Sequence, residues 1–259
     1  MHAPVVAMSS IKRFCQQAGL VLLLASLSAC ATKSNDKYRD MSADQIYAQG
    51  QKNLKKGRYQ AAVEDFEGLE SHHPYGEYAD KGLLDLIYAY NKQGEPEAAL
   101  AADERFIQLY PMHPDIDRAY YLRGMIYFDQ NISILYRYVP LDRSHRDNFQ
   151  AEKAFENFAF LVKHFPKSPY ATDARQRLIY LRDQLAQHEL HVAKYYLKRK
   201  AFVAVAERAN YILKHFNSTS AIPAALKILK TAYLGMDMPT LAADVQNIID
   251  KNSDQQDIS

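Results

Sequence analysis

The chain has no tryptophan, two cysteines and nine glycines in 259 residues. It also lacks any apolar run near the ~20 residues that a spanning helix needs. No alternating apolar stretch is bounded by Asn-Gly or Asp-Gly, so strand signals are missing. No glycine-rich phosphate loop occurs, and no serine sits in a nucleophile-elbow context. Charge is balanced as well, with 32 Lys and Arg against 30 Asp and Glu. Nothing there favours nucleic acid, which calls for a basic face. What remains is a helix-forming composition with 19 tyrosines.

The first 29 residues carry the three parts of a secretory signal. Lys12 and Arg13 supply positive charge, Ala18 to Leu27 the apolar stretch, and Ser28 and Ala29 the small residues before Cys30. Leu27-Ser28-Ala29-Cys30 resembles a bacterial lipobox, in which cleavage precedes the cysteine. The amine of that cysteine is then acylated and its sulfur carries diacylglycerol. The alternative is a soluble secreted protein with an incidental cysteine. Each buried methylene adds ~0.8 kcal/mol, so three acyl chains on Cys30 would anchor stably. This covalent lipid is the only attached group expected; no cofactor or metal is. Ala31, where an aspartate usually retains such lipoproteins in the inner membrane, suggests by that resemblance the periplasmic face of the outer membrane. Removal of the signal deletes Cys15, Lys12 and Arg13. The mature chain then has no disulfide partner for Cys30 and a net charge near zero. Residues 30–41 read as a flexible lipidated tether reaching at most ~40 Å. Residues 251–259 read as a disordered tail.

Four junctions resemble one another: "SHHPYGEYADKGLLDLIYAY", "LYPMHPDIDRAYYLRGMIY", "HFPKSPYATDARQRLIYL" and "HFNSTSAIPAALKILKTAY". Each has an aromatic or histidine, usually a proline, a polar link, then an amphipathic run. Proline has no N–H to donate and breaks the helix there. The units between resemble tetratricopeptide repeats, helix–turn–helix modules of 34 residues. The matches are Gly50, Gly57, Tyr59, Ala62, Phe66 and Pro74 in the first unit, Tyr90, Gly94, Ala99 and Pro111 in the second, Tyr120, Gly124, Tyr127, Ala154, Phe158 and Pro166 in the third, and a weaker Ala193, Tyr196, Phe202 and Val205 in the fourth. The expected fold class is therefore all-α, a solenoid of about five repeats. Repeats 1–3 span 42–168 and repeats 4–5 span 169–250. Pro74 and Pro111 are 37 positions apart, but Tyr127 and Ala154 are separated by 27 where about nine would serve. An insertion is placed at about 129–148. A long helix is expected from Ala171 to Arg199, with the stripe Ala174, Leu178, Leu181, Leu185, His188, Val192 and Tyr195.

No catalytic set emerges, so the chain reads as a non-enzyme. "HELH" from His188 to His191 lacks the spacing of the zinc motif HExxH. Adjacent acids such as Asp103-Glu104 point to different faces of a helix. Tyr75 and Tyr78 do not fit core positions and lie at a turn. Tyrosine is an efficient binding residue, and a repeat array offers a concave surface, so the expected chemistry is non-covalent capture of peptides or proteins.

Most of the chain resembles the BamD family, the lipoprotein subunits of the β-barrel assembly machinery of Gram-negative outer membranes. The stretches that carry this include "HPYGEY", "DLIYAY", "RFIQLYPMHPDID", "DRSHRD", "LVKHFPKSPYATDA" and "AFVAVAER". The fifth repeat matches weakly, and His145 stands where the insert is often acidic. The resemblance implies that the N-terminal repeats receive the C-terminal targeting segments of unfolded barrel proteins, through Tyr75, Tyr78, Tyr88 and Tyr90. It implies that the C-terminal repeats dock on the POTRA domains of the barrel subunit BamA, with Arg208 at the contact, and meet accessory lipoproteins. Asp142, Arg143, Arg146 and Asp147 would pin the insert as a clasp. The competing function is a repeat-adaptor lipoprotein for cell-wall synthesis or division.

Overall fold

A computed structural model describes residues 36–131 and 148–256, with side chains to residue 252. Cys30 and the insert residues Asp142, Arg143, Arg146 and Asp147 lie outside the described residues. Two compact units are separated at Met41–Ser42. Of the first, residues 36–41 form a turn closed by the Arg39 N–H to Asp36 O (3.3 Å) and the Met41 N–H to Tyr38 O (3.1 Å).

The second unit is helical throughout its described residues, with no strand among them. Its helices are α1 (Ala43–Lys55), α2 (Tyr59–His72), α3 (Ala79–Gln93), α4 (Pro96–Leu109), α5 (Ile116–Asn131), α6 (Phe149–His164), α7 (Ala171–Lys198), α8 (Phe202–His215), α9 (Ile222–Gly235) and α10 (Pro239–Gln256). Each packs mainly on its sequence neighbours, which is the signature of a solenoid. Five pairs result, and the fold is the expected tetratricopeptide-type array. The first helices of successive pairs also touch, α3 with α5 and α7 with α9, which puts them on the inner side of the curve. α10 continues to Gln256, past residue 250 where a disordered tail was expected.

Local sequence accounts for the helix ends. Ser42 and Gln45 form a capping box at α1: the Gln45 N–H donates to Ser42 Oγ (3.3 Å) and the Ser42 N–H to Gln45 Oε1 (3.0 Å). Pro96 opens α4, where its missing N–H costs nothing. The turn inside a pair needs one left-handed residue. Gly57 (φ +66°) and Gly94 (φ +92°) supply it in the first two pairs, and Lys200 (φ 59°) and Asp237 (φ 58°) in the last two.

Close approach within pairs comes from glycine against a ring. A Cβ on Gly50 would lie 2.5 Å from Phe66 Cε1, and one on Gly124 2.6 Å from Phe158 Cε1. Phe66 and Phe158 are fully buried, so neither ring can swing away. Between the last two pairs, a Cβ on Gly235 of α9 would likewise lie 2.6 Å from the half-buried ring of Phe202 of α8.

The 28 residues of α7 make it about 42 Å long, close to the Ala171–Arg199 expectation. Its buried stripe follows the expected one only as far as Leu185, with Leu178 packed against the core. Ala174, Leu181 and Leu185 join the core formed with α5 and α6. Beyond Leu185 the buried positions become Ala186, Leu190 and Ala193, in a second core with α8 and α9. The two stripes are about a third of a turn apart. Tyr195, expected in the stripe, is exposed. α8 runs back only along the second half of α7. The α8–α9 turn is therefore pinned at mid-helix: the Ser220 N–H donates to Asp183 Oδ1 (2.8 Å), and Gln187 Nε2 to Ser220 Oγ (2.6 Å). Repeats 4 and 5 are thus offset along α7 from repeats 1 to 3.

Gly124→Ala is expected to destabilise the array by about 1–3 kcal/mol, because the added methyl overpacks a buried ring. A lowered urea midpoint with unchanged slope would register it; an unchanged midpoint would show that the interlock has slack.

Candidate functional site

The inner surface is built from the first helices of each pair, and an acid–aromatic ladder ties them together. Asp85 of α3 is buried, at 4 % exposure. It accepts from Tyr47 Oη (3.0 Å) and from Gln51 Nε2 on α1, and from Arg118 Nη2 on α5 (2.6 Å). One carboxylate therefore joins three helices from three repeats. Further along, Asn91 Nδ2 donates to Asp129 Oδ2 (2.9 Å), with Lys92 Nζ at 3.6 Å. Tyr121 Oη donates to Asp173 Oδ2 (2.7 Å), and Asn131 pairs with Gln184 at 2.9 Å. Burial first, then the adjacent carboxylate, pushes the Tyr47 phenol up to about 12. Burial and the bond to Asp173 do the same to Tyr121. Both phenols stay protonated donors over the physiological range.

Aromatic pairs sit beside this ladder at equivalent places. Tyr78, the N-cap of α3, stacks on Tyr47 with centroids 4.8 Å apart and planes at 22°. Tyr170, the N-cap of α7, stacks on Tyr121 at 4.7 Å and 20°. Lys81 lies 5.6 Å from the Tyr78 ring and Lys92 5.6 Å from the Tyr88 ring. Positions 78, 81, 85, 88 and 92 share one side of α3 at helical spacing. Beyond them, Arg177 lies 4.5 Å over the Phe128 ring.

The four tyrosines expected at a substrate site do not converge. Tyr78 and Tyr88 face the inner side. Tyr90, two residues on from Tyr88, is on the far side of α3 and donates to Glu67 of α2. Burial and the Glu67 carboxylate hold its phenol protonated. Tyr75 is at a turn tip, 98 % exposed. The residues that sequence reasoning missed are Tyr47, Asp85, Arg118, Tyr121 and Tyr170. Tyr78 and Tyr170 occupy matching places after Pro74 and Pro166, a signal that comparison of the junctions could have yielded.

Arg208, which the resemblance implies at a partner contact, is paired within the array. Its Nη1 donates to Glu189 Oε2 of α7 at 2.8 Å, leaving the side chain 44 % exposed. Among the described residues no group of His, Cys, Asp and Glu is placed to hold a metal ion. His188 is partly buried, its Nδ1 without a hydrogen-bond partner. No helix among them is long and apolar enough to cross a membrane.

The family described as "Outer membrane lipoprotein" (YfiO) matches residues 39–248, nearly the whole array. The chain belongs to this family, that of the outer membrane protein assembly factors BamD. The BamD of Neisseria gonorrhoeae is 41 % identical over 237 residues, covering 90 % of this chain and 89 % of that one. That of Vibrio cholerae is 35 % identical over 213 residues, 82 % and 88 % of the two chains. That of Haemophilus influenzae is 34 % identical over 236 residues, 91 % and 90 %. The family match runs from before α1 into α10, so inner face, Arg208 and α7 all fall within it.

A buried pair between α4 and α5 makes the stability of the array depend on pH. Asp103 is fully buried; its Oδ2 accepts from Arg123 Nε, and its Oδ1 has no partner. Burial pushes its carboxyl up from 3.8 to about 6, against the opposing pull of Arg123. The folded chain then holds this proton more tightly than the unfolded one. The group's contribution is greatest below about pH 4 and falls as pH rises to about 6, by up to ~3 kcal/mol. Asp103→Asn is expected to remove that part of the slope, measured as urea stability at pH 4.5 and pH 7; an identical slope would assign the pH dependence elsewhere.

Proposed function

We propose that the chain is a non-enzymatic scaffold and substrate receptor in outer-membrane β-barrel assembly, anchored at the periplasmic face by lipid on Cys30. Family membership across the whole array carries this reading. The inner face supports the receptor part. It offers stacked tyrosines for apolar side chains, with amide, phenol and guanidinium groups nearby for the backbone of an extended segment. The substrate is the aromatic-ended C-terminal segment of an unfolded barrel protein, bound along Tyr78 and Tyr88 and their neighbours Tyr47 and Arg118. The C-terminal repeats dock on the POTRA domains of BamA through a surface that includes Arg208, and accessory lipoproteins join the assembly.

Tagged, lipidated chain should co-purify BamA in mild detergent, and its depletion should lower many barrel proteins. Normal barrels with defective septa would instead support an adaptor for the cell wall. Arg208→Ala is expected to weaken docking on BamA with only a small fall in melting temperature, since a half-exposed ion pair contributes about 1 kcal/mol. Unchanged affinity would take Arg208 out of the interface. Tyr78→Ala with Tyr88→Ala should weaken binding of aromatic-ended peptides about tenfold, in keeping with ~0.5–1.5 kcal/mol per aromatic contact. Retained affinity by fluorescence titration would place the substrate elsewhere.

A further inference from the structure

Among the described residues the two most exposed large apolar side chains are Tyr75, at 98 %, and Met112, at 92 %. They occupy the same place in two successive repeats, each directly after a proline, Pro74 and Pro111. Both are at turns that join one helix pair to the next, α2 to α3 and α4 to α5. A single exposed apolar residue is ordinary. A matched pair on one rim, held on ordered turns, is a different observation. The first turn is closed by the Gly76 N–H to His73 O (3.2 Å). In the second, the Asp115 N–H donates to His113 Nδ1 (3.0 Å), while His113 Nε2 is 2.9 Å from Asp80 at the start of α3.

The same rim is where the chain enters the array. A Cβ at Gly76 would lie 3.9 Å from Cβ of Ala43, the first residue of α1. Ser42 is twelve positions after Cys30, a reach of at most ~40 Å. An anchor on Cys30 would keep this rim within that distance of the bilayer. The opposite rim at the same repeats carries Lys55, Lys56, Arg58 and Glu95, a solvated charged edge.

From these two facts we infer that the rim bearing Tyr75 and Met112 touches the lipid surface, both side chains entering the boundary between headgroups and acyl chains. A tyrosine ring with its polar tip suits that depth, and a flexible thioether fills irregular gaps. Two contacts one repeat apart fix the orientation of the solenoid, which a tether alone does not. The inference rests on the anchored reading of Cys30 and goes beyond it.

The absence of native tryptophan makes the test direct. Tyr75→Trp, Met112→Trp and Lys56→Trp each create a sole indole reporter in the full acylated chain. The vesicles are phosphatidylethanolamine and phosphatidylglycerol with brominated acyl chains. Positions 75 and 112 should be quenched about twofold or more, with blue-shifted emission, and position 56 should not. Quenching at 56 as strong as at 75, or none at 75 and 112, overturns the proposal. Flotation separates the two layers. The acylated chain should float with vesicles and Cys30→Ser should not. Failure to float overturns the anchored reading and the rim contact with it; flotation without quenching overturns the rim contact alone.

Discussion

Everything in the array depends on α7 serving two cores from two faces. Its first half closes the core of repeat 3 through Ala174, Leu181 and Leu185. Its second half founds the C-terminal core through Ala186, Leu190 and Ala193. Phe216 packs against both cores at the crossover. In an ordinary solenoid each repeat speaks only to its neighbours. Here one rigid helix, with no proline or glycine inside it, makes the two halves a single body. The offset along its axis sets where the C-terminal surface stands relative to the inner face.

That inner face is held by polar groups as much as by apolar ones. Asp85 cannot be buried uncompensated, so its acceptance of three donors from two helices is what makes its position tolerable. The consequence is precision. Tyr47, fixed by the carboxylate, presents a flat platform to Tyr78. A recognition surface formed by side chains that are themselves tied down loses little freedom on binding.

Much of this was readable from residue order. The proline-marked junctions, the small and aromatic repeat positions and the span of α7 all follow from local chemistry, while the contacts of Gly50 with Phe66 and Gly124 with Phe158 needed the packed pairs. What escaped was long-range. The turn of the buried stripe at Leu185 arises because α6 and α8 approach α7 from different sides, and no periodicity within α7 reports that. Tyr88 and Tyr90 look like a pair in sequence, yet a helix sends residues two apart to opposite faces. Asp85 and Arg118, 33 positions apart, met only through the stacking of repeats. The pairing of Arg208 with Glu189 likewise depended on how α8 lies along α7.

The neighbour-to-neighbour wiring also decides how such a chain can mature. Nearly every contact is between helices adjacent in order, a low contact order that favours fast folding. A polypeptide emerging amino-end first can therefore consolidate pair by pair, without waiting for its last residues. The exception is α7. Repeat 3 remains open on one side until residue 185 has arrived, and the following residues then offer the template on which repeats 4 and 5 assemble. The array is thus divided in time as well as in space, with the aromatic face ready before the C-terminal repeats exist.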